Sequence, residues 1–133
     1  MEKLKERLQS CIAALDTLAE ALRLPFSVIV RDAALQRFEY SFESTWKLLK
    51  SYLEMQEGVV CNSPKSCFRE AFLAGLFSRE EAETCLIMTD DRNLTSHTYL
   101  ESLAASIYAK LPNYLTVMQS LAKQIAARID SKE

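Results

Sequence analysis

The sequence predicts an all-α protein: an antiparallel, up-and-down four-helix bundle with one additional short helix, in a single domain over residues 1–133. Three observations carry this prediction. Apolar residues recur at alternating spacings of three and four along most of the chain, which is the period of one helical face. Only two glycines (Gly58, Gly75) and three prolines (Pro25, Pro64, Pro112) interrupt it, too few for the tight turns of a sheet protein. Hydrophobic residues make up 49% and charged residues 26%, a balance that allows a packed core and is too apolar for disorder.

In the first segment Leu4, Leu8, Cys11, Leu15, Leu18 and Leu22 form one apolar stripe, which ends before Pro25. Ser27 caps a second helix whose stripe is Leu35, Phe38, Phe42, Trp46, Leu49 and Leu53, and Gly58 is its stop. Ser63-Pro64 is a helix start, cap followed by proline, for a short helix running to Gly75. Ser78-Arg-Glu-Glu81 has capping-box spacing and opens a fourth helix. From Thr89 to Thr98 the chain turns polar, with side chains that compete for the helical backbone. Thr98-Tyr-Leu-Glu101 reads as a second capping box, which puts a turn near residues 94–98; the alternative is a helix continuous through 98. The last helix carries Ala104, Ile107, Leu111, Tyr114, Met118, Leu121 and Ile125, with a kink expected at Pro112.

Several classes of chemistry are poor fits. His97 is the only histidine and the cysteines lack paired close spacing, so no zinc site is expected. Two scattered glycines build neither a phosphate loop nor a dinucleotide fingerprint. No nucleophile elbow and no Gly-Ser with paired aspartates is present, so triad hydrolysis and self-contained nucleotidyl transfer are unsupported. No cofactor is implied. The charged start MEKLKERLQS and the absence of a run of roughly 20 apolar residues suggest a cytoplasmic protein off the membrane. Cys11, Cys61, Cys67 and Cys85 are then read as reduced core thiols. A net charge of −2 argues against a broad basic surface for duplex nucleic acid but leaves room for a local cationic pocket.

Arg92-Asn93-Leu-Thr-Ser-His97-Thr-Tyr99 sets a permanent cation, an imidazole and a phenol within eight residues. With a turn at 94–98, Arg92 ends one helix while His97 and Tyr99 flank the next. The positive end of that helix then faces the guanidinium, a phosphate-binding arrangement. Histidine can take a proton from a ribose 2′-hydroxyl without a metal, and arginine can stabilise charge developing on the phosphodiester. One histidine leaves the general acid unassigned, a role a second His97 in a homodimer can fill. The bland alternative is a solvated His97 and an Arg92 that only complements a helix C-terminus.

The segment from Arg31 to Lys47 carries a second pattern. Phe38, Phe42 and Trp46 make a core face, and Asp32, Gln36, Glu39 and Glu43 make a polar stripe beside it. That stripe is either a solvated face, with a Glu43–Lys47 pair, or the wall of a groove or interface.

Together, RDAALQRFEYSFESTWKLLK and RNLTSHTY resemble the nucleotidyltransferase substrate-binding proteins of the HEPN superfamily, to which the HepT-like toxins also belong. The resemblance covers nearly the whole chain. It implies a homodimeric helical bundle that assembles with a separately encoded minimal nucleotidyltransferase. In the toxin branch the matching residues perform metal-independent RNA cleavage, and the matching tyrosine receives AMP from the partner, which silences the toxin. Those roles would fall on Arg92 and His97, with Asn93 in support, and on Tyr99. The sequence leaves two alternatives: a non-catalytic subunit that presents a nucleotide or other substrate to the nucleotidyltransferase, and a purely structural bundle.

Overall fold

Helix boundaries follow from which side chains satisfy the unpaired amides of a first turn. Ser27 Oγ accepts from the Val30 amide at 3.0 Å, and Ser78 Oγ accepts from the Glu81 amide at 3.1 Å while Glu81 returns the bond to the Ser78 amide at 3.0 Å. Ser63 forms the same reciprocal box with Ser66, which replaces the usual glutamate. The computed structural model describes residues 1–131, with helices α1 (Glu2–Arg23), α2 (Val28–Tyr52), α3 (Pro64–Leu73), α4 (Arg79–Asn93) and α5 (Glu101–Ser131). A π-helical turn, Leu53–Glu57, extends α2 to Gly58, whose φ of 67° ends it in the left-handed region. Among the described residues there is no strand.

The turn expected before the last helix is present, but the second capping box is not. Thr95–His97 form a 3-10 turn, and the Thr98 hydroxyl donates to the Thr95 carbonyl at 3.1 Å instead of capping α5. Glu101 reaches across to Arg31 of α2, so neither half of the box is available. Helix α5 therefore opens at Leu100, whose carbonyl accepts from the Ala104 amide, and it runs through Pro112 to Ser131.

Contacts along the bundle fix the helix directions. Cys11 meets Thr45, Ala14 meets Ser41 and Glu20 meets Arg37, so α1 and α2 are antiparallel. Helices α2 and α5 run parallel across the diagonal: Arg31 pairs with Glu101 at one end, Phe38 stacks on Tyr114 in the middle, and Tyr52 bonds Arg128 at the other. Helix α4 closes the up-and-down set, and the short α3 lies over it and α2. At the core centre Phe38, Phe42, Phe68 and Tyr114 sit with neighbouring ring centroids 5.7–6.2 Å apart. Arg128 seals the end of α3 by donating to the carbonyls of Ala74 (2.9 Å) and Gly75 (3.0 Å).

The expected stripes are the core, with two corrections. Leu8, Leu22 and Trp46 are only partly buried, the Trp46 indole N–H donating to Glu43 at 3.2 Å on the rim. The four cysteines are not all reduced thiols: Cys61 and Cys67 form a disulfide, while Cys11 and Cys85 are free and buried. Sequence spacing hid the bond, because the return loop brings Cys61 back against the first turn of α3. Burial raises the thiol pKa of both free cysteines, which disfavours their reactive thiolate.

Two tests follow. The disulfide closes a loop between cysteines six positions apart, for which chain entropy predicts about 2 kcal/mol of stabilisation. Urea unfolding with and without reductant should differ by that amount, and the Cys61→Ser, Cys67→Ser double variant should be insensitive to reductant. The Arg31 guanidinium, only 3% exposed, holds the Glu101 carboxyl below its ordinary value of 4.5 by hydrogen bond first and charge second. A depressed folded-state pKa stabilises above 4.5 and loses that contribution as pH falls through the folded value. Wild type and Glu101→Gln should therefore differ in urea midpoint at neutral pH and converge on acidification below 4.5; a constant gap would mean that charge plays no part.

Candidate functional site at the α4–α5 turn

The last turn of α4 is held from two sides. Asp91, 7% exposed, points inward and accepts hydrogen bonds from the Tyr114 hydroxyl and from Lys110 Nζ at 2.9 Å, both on α5. Burial first, and the Asp91 bond second, push the Tyr114 phenol well above its ordinary pKa of 10.0, so it remains a donor. Arg92, the next residue, turns to α2: its Nη2 lies 2.9 Å from Glu43 Oε1. Its Nε is buried and has no hydrogen-bond partner among the described residues.

Glu43 is a junction. Besides Arg92 it accepts from the Trp46 indole, and Lys47 Nζ lies 3.8 Å away, the pair expected from their helical spacing. The rest of the polar stripe is spread differently. Gln36 is exposed and Glu39 half-buried, while Asp32 accepts a long bond of 3.4 Å from Arg31 at the far end of α2. Of the four stripe residues, Glu43 is thus the one bonded to the Arg92 side chain.

Beyond Arg92 the backbone is tied into a compact turn. The Thr95 hydroxyl donates to the Arg92 carbonyl at 2.7 Å, and the His97 amide donates to the Leu94 carbonyl at 2.9 Å. Thr95 is buried, whereas Asn93, His97 and Tyr99 are exposed. The His97 and Tyr99 rings meet edge to face, with centroids 6.0 Å apart, and Tyr99 is 77% exposed. The structure therefore brings together Arg92 with Glu43 and His97 with Tyr99. Among the described residues no hydrogen bond or ion pair links the two pairs. The N-terminal end of α5 carries the carboxylate of Glu101, held by Arg31, in its first turn.

Two contributors were overlooked in the sequence. Arg31 lies four residues before Leu35, on the apolar stripe itself, and a cation in that register signals a buried pair. Asp91 likewise follows Cys85 and Met88 at spacings of three, in the buried register of α4.

Known proteins agree with this architecture. A solved structure from Thermus thermophilus superposes with a TM-score of 0.84 at 46% identity, covering 86% of this chain and 98% of that one. A second, from Haemophilus influenzae, is described as revealing the fold of a substrate-binding domain of a nucleotidyltransferase. It superposes with a TM-score of 0.77 at 24% identity, covering 90% and 98% of the two chains, and at that identity it speaks to fold alone. A Haemophilus influenzae protein named probable ribonuclease HepT is 29% identical over 99 residues, 71% of this chain; the chain spans 66% of that relative's length. No helix is long and apolar enough to cross a membrane among the described residues. The family model described as "nucleotidyltransferase substrate binding protein like" matches residues 6–127, nearly the full chain. The protein belongs to the nucleotidyltransferase substrate-binding protein-like family.

Proposed function

We propose that this chain is the HEPN-type subunit of a two-component nucleotidyltransferase system of toxin–antitoxin kind, a homodimeric, cytoplasmic, metal-independent ribonuclease silenced when its partner adds AMP to Tyr99. The observation that carries the proposal is the exposed His97–Tyr99 pair, on a hydrogen-bonded turn that starts at a guanidinium anchored by Glu43. Family membership supports a nucleotidyltransferase as partner, and the name of the Haemophilus relative supports RNA as substrate. The Cys61–Cys67 bond is the one feature that runs against a reducing compartment.

In this reading the His97 imidazole takes the proton of a ribose 2′-hydroxyl. The 2′-oxygen attacks the adjacent phosphorus, forms a 2′,3′-cyclic phosphate and expels the 5′-oxygen. That oxygen takes its proton from the protonated His97 of the second copy. Glu43 occupies one edge of Arg92, leaving its other N–H groups for the charge that builds on the phosphoryl oxygens. Asn93, exposed beside it, assists in holding the strand. Silencing follows from chemistry at the exposed phenol: Tyr99 Oη attacks the α-phosphorus of ATP on the partner and releases pyrophosphate. The new phosphodiester then places a negative charge beside His97, where it repels an RNA backbone.

A second reading, a non-catalytic subunit that presents a nucleotide to the nucleotidyltransferase, is favoured by the description attached to the family. Expression without the partner separates the two. The first reading expects growth arrest that His97→Ala abolishes while the circular dichroism spectrum is unchanged; equal growth with both versions favours presentation. With the partner and ATP, wild type should gain the mass of one AMP per chain and Tyr99→Phe should gain none. An adduct on that variant would move the acceptor elsewhere.

A further inference from the structure

Of the cationic face shared by α1 and the middle of α2, only Glu43 takes part in the reading above. Here two adjoining openings, of about 400 and 320 Å³, share Lys3, Arg7 and Lys47 and so form one groove. It runs from Glu43 to Glu54, eleven residues of helix or about 16 Å. Lys50 and Trp46 complete its wall, with Lys50 Nζ 5.9 Å from the indole centroid. Two features do not suit a groove that stays empty. Lys3 and Arg7 stand four residues apart on one face of α1, where like charges repel, and neither has an ion-pair partner among the described residues. Arg7 Nε is buried without a hydrogen-bond partner among them, and a buried donor left unpaired is costly. At the Glu43 end, Arg92 offsets the carboxylate. Local cationic excess therefore gathers on a chain whose net charge is −2.

We infer that this groove is a binding site for an oligophosphate anion, an inorganic triphosphate or the triphosphate of a nucleotide. The guanidinium of Arg7 grips phosphate oxygens, and Lys3, Lys47 and Lys50 supply the remaining charge. Ser10 on α1 and Ser44 and Ser51 on α2 add hydroxyl donors. A bound anion removes the repulsion between Lys3 and Arg7. The short extent of the groove, with the carboxylates of Glu43 and Glu54 at its ends, fits a small anion better than a continuous nucleic-acid backbone. Lys3, Arg7 and Lys50 are assigned no role in RNA cleavage, whereas Lys47 also pairs with the Glu43 that holds Arg92.

Trp46 is the only tryptophan in the chain and lines the groove, so its fluorescence reports occupancy directly. Titration with inorganic triphosphate should give a saturable change that weakens with added salt. Arg7→Ala and Lys47→Ala should each weaken it about ten-fold, the loss of one charge-assisted bond. Lys3→Ala, at an exposed position in the first turn of α1, provides a variant that leaves the packing untouched and should weaken binding in the same direction. Equal affinity for triphosphate and ATP means that the phosphates are the whole ligand; tighter ATP adds a contact to the nucleoside, and both results support the site. The inference is overturned by no saturable change in fluorescence or calorimetry, by affinities that the three variants leave unchanged, or by saturation with single-stranded RNA but not triphosphate.

Discussion

Asp91 and Arg92 are neighbours whose side chains leave α4 in different directions, and the arrangement of the candidate site depends on that divergence. The carboxylate goes inward to Tyr114 and Lys110 of α5, and the guanidinium goes across to Glu43 of α2. One turn of helix is thereby clamped to both of its neighbours in the bundle. Asp91 is buried and Tyr114 is among the largest fully buried side chains, so the inner half of the clamp lies in the core, where geometry is tightly held. The outer half lies at the rim, where solvent screens the ion pair and its value is orientation more than stability.

This division bears on chemistry. In the proposed reaction, a guanidinium that meets a phosphoryl group cannot sit in the core, because an unpaired buried charge is expensive. It also cannot hang free, because a long side chain loses orientation to entropy. Glu43 resolves both demands by holding one edge of Arg92, while the indole of Trp46 and the amine of Lys47 hold Glu43. The downstream turn is stiffened by hydroxyl-to-carbonyl bonds of Thr95 and Thr98, which lets His97 and Tyr99 remain exposed without belonging to a loose loop.

A second contrast lies at the two ends of the diagonal pair α2 and α5. One end is closed by Arg31 and Glu101, a buried cation met by an exposed carboxylate, next to the turn that carries His97. The other is closed by Arg128, which gathers Tyr52 and the carbonyls at the end of α3. The Cys61–Cys67 bond ties the return loop to the start of α3. Covalent and ionic ties thus sit at the ends, while the packed rings of Phe38, Phe42, Phe68 and Tyr114 hold the middle.

The helices, their starts at Ser27, Ser63 and Ser78, their stop at Gly58 and nearly all core positions were legible in the residues alone, because caps and amphipathic periods are local physics. So were the residue types at the α4–α5 turn, and the resemblance that named the family. What the order of residues did not reveal was which of several possible partners each side chain meets. Glu101 looked like a cap for its own helix until Arg31, 70 residues earlier, drew it away. Trp46 looked like core until Glu43 took its N–H, and Cys61 and Cys67 looked unpaired until the loop folded back. A local pattern states what a side chain is able to do; which of its possible partners it meets is decided only when helices pack.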